Sequence, residues 1–452
     1  MRAISGRLAL LVLFFLLATA AFAQVSDSTE ALALLPAEDT PSVPDDSEFL
    51  NVGTGKAAWL LDYGVAVNPA AFYDLTGSNM TLFATVGASS WLRLSLPGQA
   101  QLYAKARDSL FLSILPWAAS GISFSNLWDI DALYLQAGIL EAGFTFTAGR
   151  KFYSLGSGLV LAGIGDGIEF LLQTSLMRLK VLGFYTGLLR PDFSGWSMGA
   201  WDYANGAQRY LGGYSAGINV FGQEISLLGL YQGDAGLEAT ELYTSWYSGL
   251  QLKGVVFSGE YLMEAYLQNG YSPLGSSTGS IQAFGGTARY QIQLPVYSSP
   301  GISIRYSLAS GDPDRSSSRG AQGNTRLTDT AFQAFGTLNT GLAFRPNFSN
   351  MHIIQAGLSL NPLEAGPAAL RRTSIGLRYF YYMKYAKAGV VTLGEAPLAS
   401  HDLGHGIDFN TIWAPFTDLS LTLNAGIFLP GAAFAAGAPV RMTVTGGIGF
   451  SF

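Results

Sequence analysis

The chain has 452 residues, no Cys, 55 Gly, 13% aromatic and 49% apolar residues, yet only 12% charged ones. Soluble globular chains carry about 25% charged residues, so this is about half the usual amount. Zero Cys excludes disulfide scaffolds, zinc fingers and cysteine enzymes; only three His argue strongly against a multi-histidine metal centre, and a net charge of −6 argues against a nucleic-acid partner.

At the N-terminus, Arg2 and Arg7 precede an apolar run over residues 8–17, and Ala21-Phe22-Ala23 fits a small-residue cleavage rule. Residues 1–23 therefore read as a signal peptide with Gln24 as the first mature residue. Residues 24–50 hold Asp27, Glu30, Glu38, Asp39, Asp45, Asp46 and Glu48, three prolines and no base. Such a composition predicts a flexible acidic leader. Without the two signal arginines the mature chain stands at −8, while everything from Asn51 onward is nearly neutral at −1.

Beyond the signal no run of 18 apolar residues occurs, so no transmembrane helix can be drawn. A bilayer admits only helices and closed barrels, because every backbone N–H and C=O must be paired. An exported, apolar, Gly-rich chain is then an outer-membrane β-barrel or a secreted all-β protein. Alternation decides. Val440, Met442, Val444, Gly446, Ile448, Phe450 and Phe452 oppose Arg441, Thr443, Thr445, Gly447, Gly449 and Ser451. Similar rows recur around Arg372–Tyr385 and Thr287–Leu294. Period-2 alternation this long exceeds the 5–6 residues usual in globular sheets and matches barrel strands, apolar toward lipid and polar toward the lumen.

The predicted fold class is an all-β transmembrane antiparallel barrel over residues 51–452, with about 18 strands (16–18). The first strand is expected near residues 57–67. Long outer links fall at residues 190–208, 268–280, 311–350, 386–401 and 430–439. Short periplasmic turns fall at residues 221–222, 249–250, 295–300, 361–370 and 415–416. The parity of long and short links holds throughout. Asn68-Pro69-Ala70 resembles a motif of long-chain fatty-acid transporters, and a turn ending the first strand explains it equally well.

Three segments carry a family resemblance. Residues 132–170 contain a strand pair ending in Gly149-Arg150, a Gly-rich stretch with Gly156, and Asp166-Gly167. Residues 307–314 read SLASGDPD and open a long loop. Residues 401–434 hold Gly404, Ile407, Asp408, Pro430 and Gly431. In this order they resemble the alginate export family of outer-membrane barrels. That resemblance implies an 18-stranded porin-like barrel in the bacterial outer membrane. Lys151 stands where a Gln often follows the family's Gly-Arg, and Gly406 where a Glu is common, so the cargo need not be alginate.

The same alternation assigns lumen side chains. Inward bases are Arg93, Lys105, Arg107, Arg178, Lys180, Arg289, Arg305, Arg372, Arg378, Lys384 and Arg441; the best inward acids are Glu169, Glu260, Glu264, Asp402 and Asp408. Arg150 falls on the outward row unless the chain turns there. Rings of Arg or Lys favour anions, so the expected function is a channel passing small or polymeric hydrophilic, anionic solutes by passive diffusion. The alternatives are a transporter of long-chain hydrophobic solutes and a barrel without an open pore. No enzyme, cofactor or metal site is read: His352, His401 and His405 lie near the outer rim without carboxylates in reach. The uncharged Gly-rich loop at residues 155–165 either folds inward or lies across the rim. Phe452 resembles the terminal aromatic that outer-membrane proteins present to the barrel-assembly machinery.

Overall fold

The computed structural model describes residues 59–451 apart from short segments at 78, 97–98, 115–121, 140–141, 190–194, 237–241, 275–276, 319, 321–323 and 393–394. The signal segment, the acidic leader and Phe452 lie outside the described residues. Eighteen strands form the wall: β1 (Leu60–Thr76), β2 (Asn79–Leu96), β3 (Ala100–Ile114), β4 (Ile122–Ile139), β5 (Phe144–Leu155) and β6 (Leu161–Gln173). They continue as β7 (Met177–Tyr185), β8 (Arg209–Val220), β9 (Gln223–Asp234), β10 (Thr244–Val256), β11 (Gly259–Leu274) and β12 (Ser277–Gln293). The last six are β13 (Gly301–Ala309), β14 (Met351–Leu360), β15 (Thr373–Lys384), β16 (Asp402–Phe416), β17 (Leu419–Pro430) and β18 (Arg441–Ser451). Each pairs antiparallel with the next, and β1 pairs with β18. No edge remains, so the ladder satisfies its own backbone groups within lipid.

The alternation of the sequence becomes the two faces of the wall. Leu133, Leu135, Leu227, Ile304, Leu377 and Tyr379 are exposed on the outer face, where lipid receives them. Thr145, Thr147, Gln251, Thr443 and Thr445 are buried on the inner face. The barrel is an outer-membrane wall by this patterning.

Short links and both described chain ends lie at one end, which is the periplasmic one by the barrel convention. Several expected link positions move. β1 runs nine residues past the expected strand end. Asn68-Pro69-Ala70 sits in its middle; the β18 register skips Asn68 and Pro69, between Val67↔Phe450 and Ala70↔Gly447. Pro has no N–H to donate, so a gap in one ladder accommodates it. Gly249–Leu250 is interior to β10, and the turn falls at Phe257 and Ser258, both left-handed with φ 50° and 62°. Most of the expected long link at 268–280 is instead strand, with β11 running to Leu274 and β12 starting at Ser277.

At the outer end the polar-inside rule stops holding. Inward-facing Tyr153, Leu155, Phe184, Leu211, Leu228, Tyr247, Tyr266, Phe380, Tyr382 and Phe428 are buried. Each fully buried large apolar side chain is worth about 1.5–3 kcal/mol, and links that fold into the lumen cover them. Phe332, Phe335, Phe344 and Phe348 of the 310–350 link join Trp196 of the β7–β8 link and Leu159 and Val160 of the β5–β6 link in one cluster. The β7–β8 link also carries a short helix, α1 (Ala200–Asn205).

Candidate functional site: a constricted lumen

The Gly-rich β5–β6 link resolves inward. Phe335 N–H donates to Val160 O (3.1 Å), Ala162 N–H to Phe335 O (3.2 Å) and Thr337 N–H to Gly158 O (3.0 Å). Ser157 N–H donates to Glu264 Oε2 (2.9 Å), and Gln251 Nε2 donates to the same oxygen (2.9 Å). Tyr266 O–H donates to Glu264 Oε1. Glu264 is thus a buried carboxyl group that accepts from three donors, and it pins the loop rather than facing open lumen.

From Phe335 the 310–350 link continues to the other wall. Tyr247 O–H donates to Gln333 O (2.7 Å), and Gln333 N–H donates to Gln268 Oε1 (2.9 Å). Leu342 N–H donates to Asp408 Oδ2 (3.0 Å), and Tyr382 O–H donates to Thr340 O (2.6 Å). Phe344 stacks on Phe428 at 4.2 Å between centroids. One link therefore touches β6 and, across the barrel, β15 to β17. It spans the lumen. Its base is tied by Arg315, fully buried against Asp329 (2.5 Å). Burial opposes that charge, but Asp329 more than offsets it and holds Arg315 above its ordinary pKa. Arg345, also on this link, donates to Leu342 O (2.7 Å); burial lowers its pKa against the pull of Asp74 and Asp408.

The sequence-derived lumen residues fall into three groups. The first is paired along β1 to β7. Arg93 binds Asp62 (2.6 Å), Lys105 lies 3.6 Å from Asp131, and Arg107 reaches Asp131 (2.9 Å) and Asp129 (3.7 Å). Lys180 shares Glu169 (3.1 Å) with Lys151 (2.9 Å). Asp62, Asp129 and Asp131 were not among the expected acids, so the counted excess of bases shrinks on this side. The motif residue Arg150 is buried despite its outward parity: Nε donates to Ile130 O (2.6 Å), and the guanidinium reaches Asp166 (2.9 Å) and Asp129 (3.7 Å). The motif glycines explain the local backbone. Gly149 has φ 129° and lies opposite Gly167, where a Cβ would overlap the neighbouring strand's backbone. Gly404 has φ 117° and a Cβ there would meet Leu429 O.

The second group serves the links. Lys384 is 1% exposed and donates to Ala396 O (2.5 Å) and Leu398 O (3.0 Å). Arg441 pairs with Glu395 (2.9 Å) amid the rings of Phe344, Phe428 and Phe434. Asp402 Oδ2 accepts from Ala432 N–H (3.2 Å). Arg372 lies in the turn before β15 and is exposed. These four do not form the continuous inward row that alternation predicts, because strand parity says nothing about where a link folds.

The third group is a wall. Arg289 and Arg305 are register partners, Arg305 pairs with Gln355, and Arg378 lies opposite Gly357. Strands β12, β13, β14 and β15 carry no acidic residue at all. Asp408 is the cross-strand partner of Arg378 on β16. Arg178 is the second residue of β7, near the same periplasmic end; Glu260, on β11, accepts from Gln291 Nε2 (2.8 Å). The histidines lie at the outer end: Tyr306 and His352 Nδ1 are 2.8 Å apart, as are Tyr379 and His405 Nδ1, and His401 Nδ1 lies 2.9 Å from Lys384 O.

A closed antiparallel 18-stranded wall with lipid-facing rows and in-folded outer links defines a porin-like barrel of the bacterial outer membrane. Its fold is similar to that of Pseudomonas aeruginosa OccK7 (OpdD), at 12% identity with a TM-score of 0.53 over 87% of this chain and 98% of that one. Acinetobacter baumannii OccAB4 gives 10% identity and a TM-score of 0.54 over 88% and 100% of the two chains. Pseudomonas aeruginosa OpdK, solved with vanillate, gives 12% and 0.54 over 86% and 98%. In sequence the chain resembles the alginate export family, whose profile matches residues 223–447, from the start of β9 into β18. No curated protein matches the sequence.

Proposed function

We propose that this barrel is a passive channel for small or polymeric hydrophilic solutes and that it prefers anions. One observation carries the preference: the adjacent strands β12 to β15 present Arg289, Arg305 and Arg378 on their inward rows and contain no acidic residue. A low-dielectric wall lined by one sign focuses its field and concentrates counter-ions. Several bases in succession let an anion bind weakly at each and leave again. The in-folded 310–350 link narrows the path, so selection occurs beside this wall.

Planar-bilayer recordings test the reading. Wild type should reverse on the anion side in a salt gradient, and Arg289, Arg305 and Arg378 replaced together by Gln should lower the anion-to-cation permeability ratio severalfold. A wild type that prefers cations, or a triple variant matching it, sinks the anion assignment and favours an uncharged or hydrophobic cargo.

Insertion through the barrel-assembly machinery, with Phe452 as its signal, belongs to the same proposal. Deleting Phe452 should lower outer-membrane levels in cells without preventing refolding in detergent. Normal cellular levels of the deletion variant would remove Phe452 from that role.

A further inference from the structure

We propose that the inner face of β2 to β4 carries a saccharide subsite, in which Trp91, Tyr103 and Tyr134 form an aromatic track for the pyranose rings of uncharged sugars. The inference deepens the channel reading and rests on a path through the lumen, though not on its anion preference. The three residues face inward by register: Trp91 pairs with Gly64 and Lys105, and Tyr103 with Arg93 and Tyr134. Their ring centroids are 6.4 and 5.3 Å apart, with planes only 20° and 31° from parallel. Carbons in full contact lie about 3.5–4.0 Å apart, so these rings are displaced sideways and none eclipses the next. All three are half-buried, so each also reaches the lumen. The wall is shaped to hold the first ring. A Cβ on Gly64 would stand 2.6 to 2.8 Å from three indole atoms of Trp91, so the indole lies over the bare backbone of β1.

The groups around the rings select the ligand. An aromatic ring is negative on its face and positive at its edge. A pyranose presents weakly positive C–H groups on its flat faces and hydroxyls around its edge that both donate and accept. Partners for both stand together here. Arg93 donates to Asp62 from Nε (3.0 Å) and Nη2 (2.6 Å), and both side chains are 29% exposed. Lys105, more exposed still, lies 3.6 Å from Asp131. Asp131 and Arg93 both act electrostatically on Tyr103. Paired charges offer donors and acceptors without net charge, which suits vicinal hydroxyls. A carboxylate stacked on these rings would meet Asp62 and Asp131 as well as the cations, so it gains less here than on the β12–β15 wall. β3 and β12 lie half-way round the ring from one another, so the track and the arginine wall face each other across the lumen. Tyr103 is three residues in from the periplasmic start of β3 at Ala100. Trp91 and Tyr134 are each five residues in from the ends of β2 at Leu96 and β4 at Ile139. At about 3.3 Å per residue the track lies roughly 10–16 Å along the strands from the periplasmic mouth, on the periplasmic side of the in-folded links.

Maltohexaose is the probe, used on the full chain refolded in a detergent without a sugar headgroup. In planar bilayers it should interrupt the wild-type current reversibly. Trp91→Ala and Tyr103→Ala should each raise the half-blocking concentration roughly tenfold, and Trp91→Phe should recover part of the loss. Gly64→Ala removes no ring but pushes the indole off the wall, so it should weaken the block as well. Ionic conductance and heat-modifiable mobility report that each variant is an intact barrel; Gly64→Ala and Tyr103→Ala carry the test if Trp91→Ala does not fold. Gln at Arg289, Arg305 and Arg378 should leave the sugar block unchanged. Saturation-transfer NMR of maltohexaose reads binding without a pore. Binding that Trp91→Ala abolishes, in a barrel that passes no current, keeps the track and removes the channel. A conducting wild type that neither binds maltohexaose nor is blocked by it overturns the track and leaves the channel standing. Equal block of wild type and the Trp91→Ala/Tyr103→Ala double variant also overturns it, as does binding of benzoate at these rings in place of the sugar.

Discussion

Replacing Gly336 by Val is expected to enlarge the conducting path and make it noisy while the barrel itself stays folded. Gly336 lies between Phe335 and Thr337, whose amides bond Val160 O and Gly158 O. A Cβ at Gly336 would overlap the carbonyls of Gly158 and Leu159, which are backbone atoms and cannot swing aside. The long link must therefore separate from the Gly-rich link. Three backbone hydrogen bonds at about 1 kcal/mol each, with part of the burial of Phe335 at about 1.5–3 kcal/mol, are then lost. A loss near 3 kcal/mol raises the displaced state by roughly two decades. Single-channel recordings should show a larger mean conductance and new sublevels, and protease should cut the 310–350 link faster. Unchanged conductance and unchanged cleavage would mean that contact between the two links does not set the constriction.

The second large effect is expected at Arg209, the fully buried first residue of β8, which ties down the β7–β8 link. Its Nε donates to Trp196 O (2.8 Å), and its terminal nitrogens meet Asp202 (2.6 Å) and Asp234 (2.9 Å). The guanidinium also stands 5.4 Å from the Phe335 ring centroid. Arg209→Met leaves two buried carboxylates facing each other without a cation, a loss of about 3–5 kcal/mol. The link carrying Trp196 and α1 should detach, read as faster hydrogen exchange over residues 186–208 and a lower temperature for loss of the compact electrophoretic form. Adding Asp202→Asn and Asp234→Asn should recover part of the loss, since the penalty comes from the orphaned charges. A single variant as stable as wild type would show that water reaches the pair.

Two further features of the interior explain why single residues have such leverage. The lumen links bond one another through backbone amides at residues 158–162 and 335–337, and each link meets a different part of the wall. A change at one contact is therefore passed to the whole obstruction, whereas a change on the lipid face is confined to its own strand.

Strand parity was legible wherever a strand meets lipid on one side and water on the other. Thr443 and Thr445 turn inward, while Met442 and Phe450 turn outward, as the closing strand's alternation requires. It failed where both faces are apolar. Trp246 faces out and Tyr247 faces in, so no period-2 signal survives there and the turn was placed at Gly249–Leu250. The actual turn uses Phe257 and Ser258 in left-handed conformations; Phe257 carries no turn signal, and the apolar run over residues 255–257 masked the one that Ser258 and Gly259 carry. The pairing partners of Lys105 and Arg107 were missed for another reason. The register skips Asp131 between Lys105↔Ala132 and Ala106↔Ile130, and a bulge changes which side chains share a face.

The amino-acid sequence by itself determined the class of the molecule: low charge, absent helical spans and long period-2 rows leave only a closed barrel as a way to pair every backbone group in lipid. It also bounded the number of strands at 16–18, because alternating long and short links count hairpins even where single links, such as 249–250 and 268–280, are misplaced. Only the tertiary structure decided what fills the lumen. Burial of Phe332, Phe335, Phe344 and Trp196 depends on links distant in sequence meeting inside one tube, and local patterning does not encode such meetings. The same holds for charge. Alternation turned Lys384 and Arg441 inward, but only the paths of the 385–401 and 431–440 links made them link clamps and left Arg289, Arg305 and Arg378 as the wall.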